Sequence, residues 1–230
     1  MKKYTIFLLV LMVIVPASQQ VQALIIDDGL EHTIDYYLND WVVVHDGSTL
    51  PLPDVTTLNI ETGATITQEV LAYDNSKITM SGGLIEADDT HFGILAAFDH
   101  SEINFSGGTV GHALQAYDNS QVIMTSGSVV HGVTASHNSQ MSIFGGSLGV
   151  LIATADSQIT IHGTDFNYPY GPLLSPSRLN GTLANGDPIV DLGCWIFPGG
   201  TASIILTSNP EPATILLLGL GGVIVGRRRG

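Results

Sequence analysis

The sequence predicts an all-β protein: a parallel β-solenoid of about five to seven short coils, with an apolar helix at each end of the chain. Three observations lead to this fold class. A window of residues repeats, apolar and polar residues alternate within each window, and the connections between windows are glycine-rich and too short for crossover helices. We expect the solenoid body to span residues 24–168, with its clear repeats at 70–166.

Each repeat contains a serine on which the five windows align. Apolar residues recur six and four positions before this serine, and two, four and nine positions after it. Alternating side chains of a strand lie on opposite faces, so these residues are predicted to face one interior. The natural partner of each strand is the same strand one repeat later. The five serines are Ser76, Ser101, Ser120, Ser139 and Ser157, and the residues two positions after them are Ile78, Ile103, Val122, Met141 and Ile159.

The turns between the predicted strands are rich in Asn and Gly. Asn75, Asn119, Asn138 and Asp156 share the position just before the serine, where Asn tolerates the left-handed conformation. Glycine pairs such as Gly107-Gly108 suit a second turn that needs positive φ. Residues 41–50 are interpreted as one more coil or an N-terminal cap. Residues 169–207 depart from the period and are predicted to form a C-terminal β cap with a hairpin turn at Asn185-Gly186.

Charge is segregated along the chain. Between Asp27 and Asp191 there are twenty acidic residues but only two cationic ones, Lys77 and Arg178, so this body carries 2 − 20 = −18. Such a surface repels phosphate backbones, and nucleic-acid binding is excluded as a function class. The single cysteine, Cys194, cannot form an intramolecular disulfide and is predicted to be a small buried hydrophobe.

The N-terminus has the pattern of a secretory signal peptide. Residues 1–23 begin with two lysines, continue through an apolar run and end in small residues, which predicts cleavage between Ala23 and Leu24. A retained membrane anchor is the alternative, but the run is short for one. We therefore expect the body to mature outside the cytoplasm.

The C-terminal segment, residues 208–230, contains a short apolar run followed by cations. The run from Ala213 to Gly226 would form a helix of about 21 Å, less than the roughly 30 Å of bilayer hydrocarbon. The arginines after it supply a cytoplasmic stop, and a short helix can thin the bilayer. We interpret the segment as a temporary membrane anchor with the body outside. The cations are Arg227, Arg228 and Arg229.

The same segment resembles the PEP-CTERM sorting signal. The resemblance rests on Pro210, Glu211 and Pro212, the apolar run and the arginine cluster, in that order, with Asn209 and Gly230 as departures from the usual pattern. It implies processing by an exosortase, a membrane protease-transpeptidase, in a Gram-negative bacterium that makes extracellular polysaccharide or biofilm matrix. The protein would then cross the inner membrane, be anchored transiently and reach the cell surface. The repeats look like the glycine-rich β-helix proteins common among such cargo, which implies a right-handed solenoid. An ordinary anchor that stays in the membrane is the alternative.

Candidate site residues in the body are few. Asp74, Asp99 and Asp118 recur two positions before the serine, and a divalent cation bound by this column is one interpretation. Turn-forming Asx residues are the preferred one. The inserted loop 86–93 offers a second candidate metal site in Asp88, Asp89 and His91. No cofactor is predicted. Five further histidines are assigned to surface or turn positions: His100, His112, His131, His137 and His162.

The function predicted from these patterns is that of a secreted, non-catalytic surface or matrix protein, with exopolysaccharide as a candidate partner. A β-helix protein that binds or degrades polysaccharide is the alternative. A lyase would need a basic proton acceptor, and a hydrolase would need two carboxyl groups in different environments. Ice binding is a further alternative, because solenoids can present flat threonine arrays, but the outward column of this sequence lacks a regular one.

Overall fold

The computed structural model describes residues 23–46, 55–88 and 91–208, and this part of the chain is entirely strand, turn and loop. Its strands form one 22-stranded sheet in which most pairings are parallel. The prediction of an all-β fold with a parallel sheet is confirmed. The helices predicted at the two ends fall on residues 1–22 and 209–230, outside the described residues.

In chain order the strands are β1 (Ala23–Ile26), β2 (Glu31–Ile34), β3 (Tyr37–Leu38), β4 (Trp41–Val44), β5 (Thr57–Ile60), β6 (Thr65–Ile66), β7 (Val70–Ala72), β8 (Lys77–Ile85), β9 (Leu95–Ala97), β10 (Glu102–Val110), β11 (Ala113–Ala116), β12 (Gln121–Met124), β13 (Ser128–Val129), β14 (Gly132–Ala135), β15 (Gln140–Ile143), β16 (Ser147–Leu148), β17 (Val150–Ala153), β18 (Gln158–Thr164), β19 (Gly171–Pro172), β20 (Ser177–Leu183), β21 (Pro188–Ile196) and β22 (Ser203–Ser208).

Parallel pairing arranges these strands in three stacks. Ladder A is β1-β4-β7-β9-β11-β14-β17-β21. Ladder B is β2-β5-β8-β10-β12-β15-β18-β22. Ladder C contains β3, β6, the second halves of β8 and β10, then β13 and β16. Within the described residues ladders A and B thus hold eight strands each, more than the five to seven coils predicted. The extra rungs come from strands outside the serine windows.

Pairing is in register with the sequence repeats. Ile78 pairs with Ile103, which pairs with Val122, and the column continues through Met141 to Ile159. All five side chains are at most 2% exposed. The predicted interior columns are therefore confirmed. Each fully buried side chain of this size contributes about 1.5–3 kcal/mol to the free energy of unfolding.

The aligned serines are buried and link successive rungs. The Ser101 Oγ donates to the Ala72 carbonyl at 3.1 Å, and the Ser120 Oγ donates to Ala97 at 3.2 Å. The Ser120 hydroxyl also accepts the backbone N–H of Tyr117 at 3.0 Å. The same donation, at 2.9–3.1 Å, is made by Ser76, Ser139 and Ser157. The hydroxyl thus holds the turn beside it and bonds to the preceding rung, which explains why a small hydroxylated residue recurs there.

The left-handed turn position predicted for the Asn column is wrong by one residue. Positive φ occurs at Asp74 (60°), Asp99 (57°) and Asp118 (57°), and the column continues through His137 and Ala155. The Ser76 N–H donates to the Tyr73 carbonyl at 3.1 Å, so Asp74 and Asn75 are the two central residues of one turn. Both residue types tolerate the left-handed region. The pattern of adjacent polar residues therefore could not decide between them.

The glycine pairs lie where ladder B passes into ladder C, the place predicted for the second turn, although Gly82-Gly83 and Gly107-Gly108 are part of the continuous strands β8 and β10. Gly108 has φ +92°, and a Cβ there would lie 2.6 Å from the carbonyl oxygens of Gly82 and Gly83 in the preceding rung. Both backbone conformation and close approach therefore require glycine at this position.

The segment after residue 168 combines antiparallel and parallel pairing. β20 and the first part of β21 form a hairpin through Asn185-Gly186, where Gly186 has φ +98°. The end of β21 then pairs in parallel with β17, and β22 pairs in parallel with β18. β19 and β20 pair antiparallel with the other edges of β22 and β21. Residues 169–207 therefore both extend ladders A and B by a rung and cover the edges of that rung, which protects them from pairing with other chains.

Cys194 lies in this last rung and is 1% exposed. Its Sγ lies 3.7 Å from the Leu192 carbonyl. Burial raises the pKa of the thiol to about 11, so it stays protonated at neutral pH. The residue behaves as the small buried hydrophobe that was predicted.

Replacing a ladder serine tests its part in stability. We expect Ser120→Ala to lower the free energy of unfolding by about 1–2 kcal/mol, because a buried hydroxyl that bonds two backbone groups is removed. The exposed Ser147→Ala is the control and should change it by less than about 0.5 kcal/mol. Urea unfolding followed by circular dichroism measures both, and equal effects would contradict the assignment.

A substitution at Ala155 tests the turn geometry, and here we expect the free energy of unfolding to rise rather than fall. It has φ 55°, a region that costs a residue with a Cβ about 1–2 kcal/mol. Ala155→Gly removes this cost. Glycine, however, loses more conformational entropy on folding than alanine does, which costs about 0.5–1 kcal/mol. We expect a net stabilisation of about 0.5–1 kcal/mol in thermal or urea unfolding. The control Ala153→Gly, at a buried strand position, should destabilise the protein; a destabilising Ala155→Gly would contradict the turn assignment.

Candidate functional site

The aspartate column is held by bonds along the stack of rungs. The Asp74 Oδ2 lies 3.0 Å from the His45 Nδ1. The backbone N–H of Asp74 donates to the Asp99 Oδ2 at 3.3 Å, and the Asp118 Oδ1 lies 3.8 Å from the His137 Nδ1. Each carboxylate thus bonds or faces a group of a neighbouring rung, which offsets the repulsion between like charges in one column.

The arrangement of the His, Cys, Asp and Glu side chains tests the interpretation that this column binds a divalent cation. Among residues 23–46, 55–88 and 91–208, no group of three or more His, Cys, Asp or Glu side chains is arranged to hold a metal ion. In the inserted loop, the backbone N–H of His91 donates to the Asp88 Oδ1 at 2.7 Å. Asp89 lies outside the described residues. The turn-forming role of the aspartates agrees with their left-handed φ.

An aromatic stack runs beside the aspartate column, and the sequence reasoning missed it. The rings belong to the position three residues before the serine, or to the equivalent position just after β4: His45, Tyr73, Phe98 and Tyr117. Their ring centroids are 4.7–5.2 Å apart and their planes differ by 5–16°. The signal was present, because three of the five windows have Tyr or Phe at this position.

This stacking limits what the rings can bind. The two faces of Tyr73 and of Phe98 are covered by neighbouring rings, so neither ring has a free face for a sugar. Burial raises the pKa of Tyr73 and of Tyr117 above the ordinary tyrosine value. The aromatic stack therefore contributes packing between rungs, and pairs in this geometry contribute about 0.5–1.5 kcal/mol each.

Two of the five histidines assigned to surface or turn positions are half-buried there. His162 stacks on Phe144 with centroids 4.0 Å apart, and its Nδ1 lies 2.8 Å from the Thr207 Oγ1. Burial lowers the pKa of His162. Burial, with a smaller effect of His131, lowers the pKa of His112. His100, His131 and His137 are exposed as expected.

The predicted processing site follows the last strand directly. β22 pairs with β18 over six residue pairs, and the last of these joins Ser208 to Gly163. Only Asn209 separates Ser208 from Pro210. The motif itself and the arginine cluster lie outside the described residues. The last strand of the described residues therefore ends with one residue between it and the motif.

Two further contacts fix the approach to β22. The Asp156 Oδ1 accepts the backbone N–H of Thr201 at 2.8 Å and its hydroxyl at 3.0 Å. These bonds lower the pKa of Asp156. Ile204 and Leu206 of β22 are buried in the interior. β22 is thus an integral strand of ladder B.

At the other end, the predicted cleavage site meets the first strand. Ala23 and Leu24 are the first residues of β1 and pair with Trp41 and Val42. The preceding 22 residues of the predicted signal peptide lie outside the described residues. In the part of the chain that the structure describes, no helix is both long and apolar enough to cross a membrane.

Comparison with known proteins identifies the C-terminal segment. The family model of the PEP-CTERM protein-sorting motif matches residues 210–229. No curated protein and no solved structure matches the chain. A C-terminal motif of this kind defines the class of exported proteins that are sorted through the membrane to the cell surface. The chain thus carries a PEP-CTERM protein-sorting motif, which supports export and implies processing by an exosortase.

The pKa of His162 predicts a pH dependence of stability. Its folded-state pKa is lowered, so the unfolded state binds more protons as the pH falls below the ordinary value of about 6.5. The free energy of unfolding should therefore fall between pH 7 and pH 5. Since His162 contacts Thr207 of β22, protonation of His162 should destabilise β22 before the other strands.

The matched variant is His162→Phe, which keeps a ring against Phe144 and cannot titrate. Its free energy of unfolding should fall less between pH 7 and pH 5 than that of the wild type. His112 is present in both proteins, so the difference isolates His162. Identical pH slopes in urea unfolding would refute the prediction.

Proposed function

We propose that this chain is a non-catalytic structural protein of the cell surface or extracellular matrix. In this proposal the body is a right-handed parallel β-solenoid that acts as a rigid rod. The C-terminal segment first anchors the precursor transiently in the inner membrane. An exosortase of a Gram-negative bacterium then removes this segment. The observation that carries the proposal is the sorting motif, which begins two positions after β22, the last strand of the described residues.

Three in-register ladders support the solenoid. In ladders A and B each strand pairs with its counterpart one repeat later, and the chain visits A, B and C in turn from β1 to β16. Eight rungs at about 4.8 Å give a rod of about 38 Å. The handedness is taken from the resemblance to glycine-rich β-helix proteins.

The recurring polar groups support a structural role. The serine hydroxyls bond backbone carbonyls in the interior, as Ser139 does with Ala116 at 3.0 Å. The Asp74 and Asp99 carboxylates bond groups in the neighbouring rung. Groups that fasten rungs together are committed to the fold, whereas a catalytic acid and base would have to reach a substrate.

The surface of the rod suits partners without strong negative charge. The two cations of the body are paired with acids: the Lys77 Nζ lies 3.0 Å from Glu102, and the Arg178 Nη1 lies 3.3 Å from Asp191. With these cations paired, the rod presents carboxylates and amides. We propose that it contacts neutral exopolysaccharide, cations or neighbouring surface proteins by hydrogen bonds and charge.

Processing is tested on the exported protein. Mass spectrometry of the mature chain should place its C-terminus near residues 208–213, and the peptide with Arg227–Arg229 should be absent from the exported pool. Replacing Pro210, Glu211 and Pro212 together by Ala should leave the precursor unprocessed in the membrane fraction. Pro198→Ala, an exposed position in the body, is the control and should be processed normally. An exported pool that keeps its arginine tail would overturn the processing claim.

A further inference from the structure

Charge is distributed unevenly along the folded body. Residues 27–165 contain eighteen acidic residues and one cation, Lys77, for a net charge of 1 − 18 = −17. Residues 166–208 contain two acidic residues and one cation, for a net charge of 1 − 2 = −1. These last residues form β19–β22 and the turns around them. The C-terminal end of the body is thus nearly neutral, while the rest is strongly acidic.

The same end exposes large apolar side chains. The exposed fraction is 85% for Leu174, 55% for Tyr170, 49% for Phe197 and 43% for Trp195. We call these four residues the terminal face. Exposed Trp and Tyr with an adjacent Leu are the composition found where proteins meet the water–lipid interface.

Pairing and hydrogen bonds place these residues on the last rung and its cover. Tyr170 and Leu174 flank β19, which pairs with the outer edge of β22. The Ser175 Oγ accepts the backbone N–H of Ile196 at 2.7 Å, which joins the Leu174 loop to the strand that contains Trp195. Phe197 follows that strand, and its N–H donates to the Ala153 carbonyl at 3.0 Å.

The sorting segment starts at this end. Ser208, the last residue of β22, pairs with Gly163, whose carbonyl accepts the Tyr170 hydroxyl at 3.4 Å. Ala213, the start of the apolar run, lies five positions after Ser208. Five residues span at most about 18 Å when fully extended. An anchored precursor therefore holds its C-terminal end within that distance of the bilayer.

We propose that the terminal face docks on the lipid–water interface of the membrane that anchors the precursor. The inference rests on the anchored precursor of the proposed function and adds the contact surface. Tyr170 and Trp195 lie among the headgroups, Leu174 and Phe197 reach the upper acyl region, and the near-neutral charge avoids repulsion by anionic lipid. The acidic remainder is repelled by that lipid, so the rod stands away from the membrane. Docking holds Pro210–Pro212 next to the bilayer, where a membrane protease acts.

The two tryptophans provide the test, because they lie in different rungs. Trp195 is in the last rung of ladder A and Trp41 is in the second, in β4. The unprocessed exported chain is reconstituted into phosphatidylcholine vesicles whose acyl chains are brominated near the headgroup. In Trp41→Phe, the remaining Trp195 should lose about half of its emission and shift to shorter wavelength. In Trp195→Phe, the emission of Trp41 should be unchanged.

A charge placed on the terminal face separates docking from mere proximity to the anchor. Leu174→Asp, made in the Trp41→Phe background, should still float with the vesicles but lose the quenching of Trp195. Leu30→Asp is the matched control, since Leu30 is 59% exposed and lies between β1 and β2. It should leave the quenching intact.

The outcomes distinguish a failure of the docking inference from a failure of the proposed function on which it rests. A chain that does not float with the vesicles refutes the anchored precursor. A chain that floats without quenching of Trp195, or whose quenching survives Leu174→Asp, refutes docking alone. A dimer in sedimentation that Leu174→Asp dissociates, with Trp195 unquenched, would assign the terminal face to a second copy and overturn the proposal.

Discussion

In-register parallel pairing of successive repeats is the interaction on which the rest of this structure depends. Because the backbones of neighbouring rungs lie about 4.8 Å apart, each residue type that recurs in the sequence forms a column. Ile78 lies on Ile103, and Tyr73 stacks on Phe98. The interior tolerates this repetition because apolar side chains of neighbouring rungs pack against one another. Ser120 shows the polar solution, with a hydroxyl bonded to the rung before it.

The same geometry concentrates charge, and the structure responds in two ways. Within the aspartate column, His45 and the backbone of the neighbouring rung supply partners for the carboxylates. Along the chain, acidic residues stop almost entirely after Asp165. The nearly neutral segment is the one that covers the last rung with β19 and β20 and precedes the sorting motif. One segment thus covers the edges of the last rung and, in the proposed docking, also faces the membrane.

Placing the sorting motif directly after a paired strand ties processing to folding. Ile204 and Leu206 of β22 are buried, and Asp156 fixes the turn before it through Thr201. In the proposed precursor, the formed last rung therefore holds Ser208, two positions before Pro210, beside the terminal face.

Much of this protein could be predicted from its sequence, because repetition turns local patterns into tertiary contacts. The interior columns through Ile78 and Met80, the second-turn glycines and the sorting motif all followed from spacing and residue type. The left-handed position did not, since Asp74 and Asn75 both tolerate it and only the backbone conformation of the folded turn shows which residue adopts it. The eighth rung did not either, because β21 and β22 join ladders A and B after a hairpin that breaks the period. Only the folded chain brings Leu174 beside the strand of Trp195, through a bond between Ser175 and Ile196 that no sequence spacing predicts.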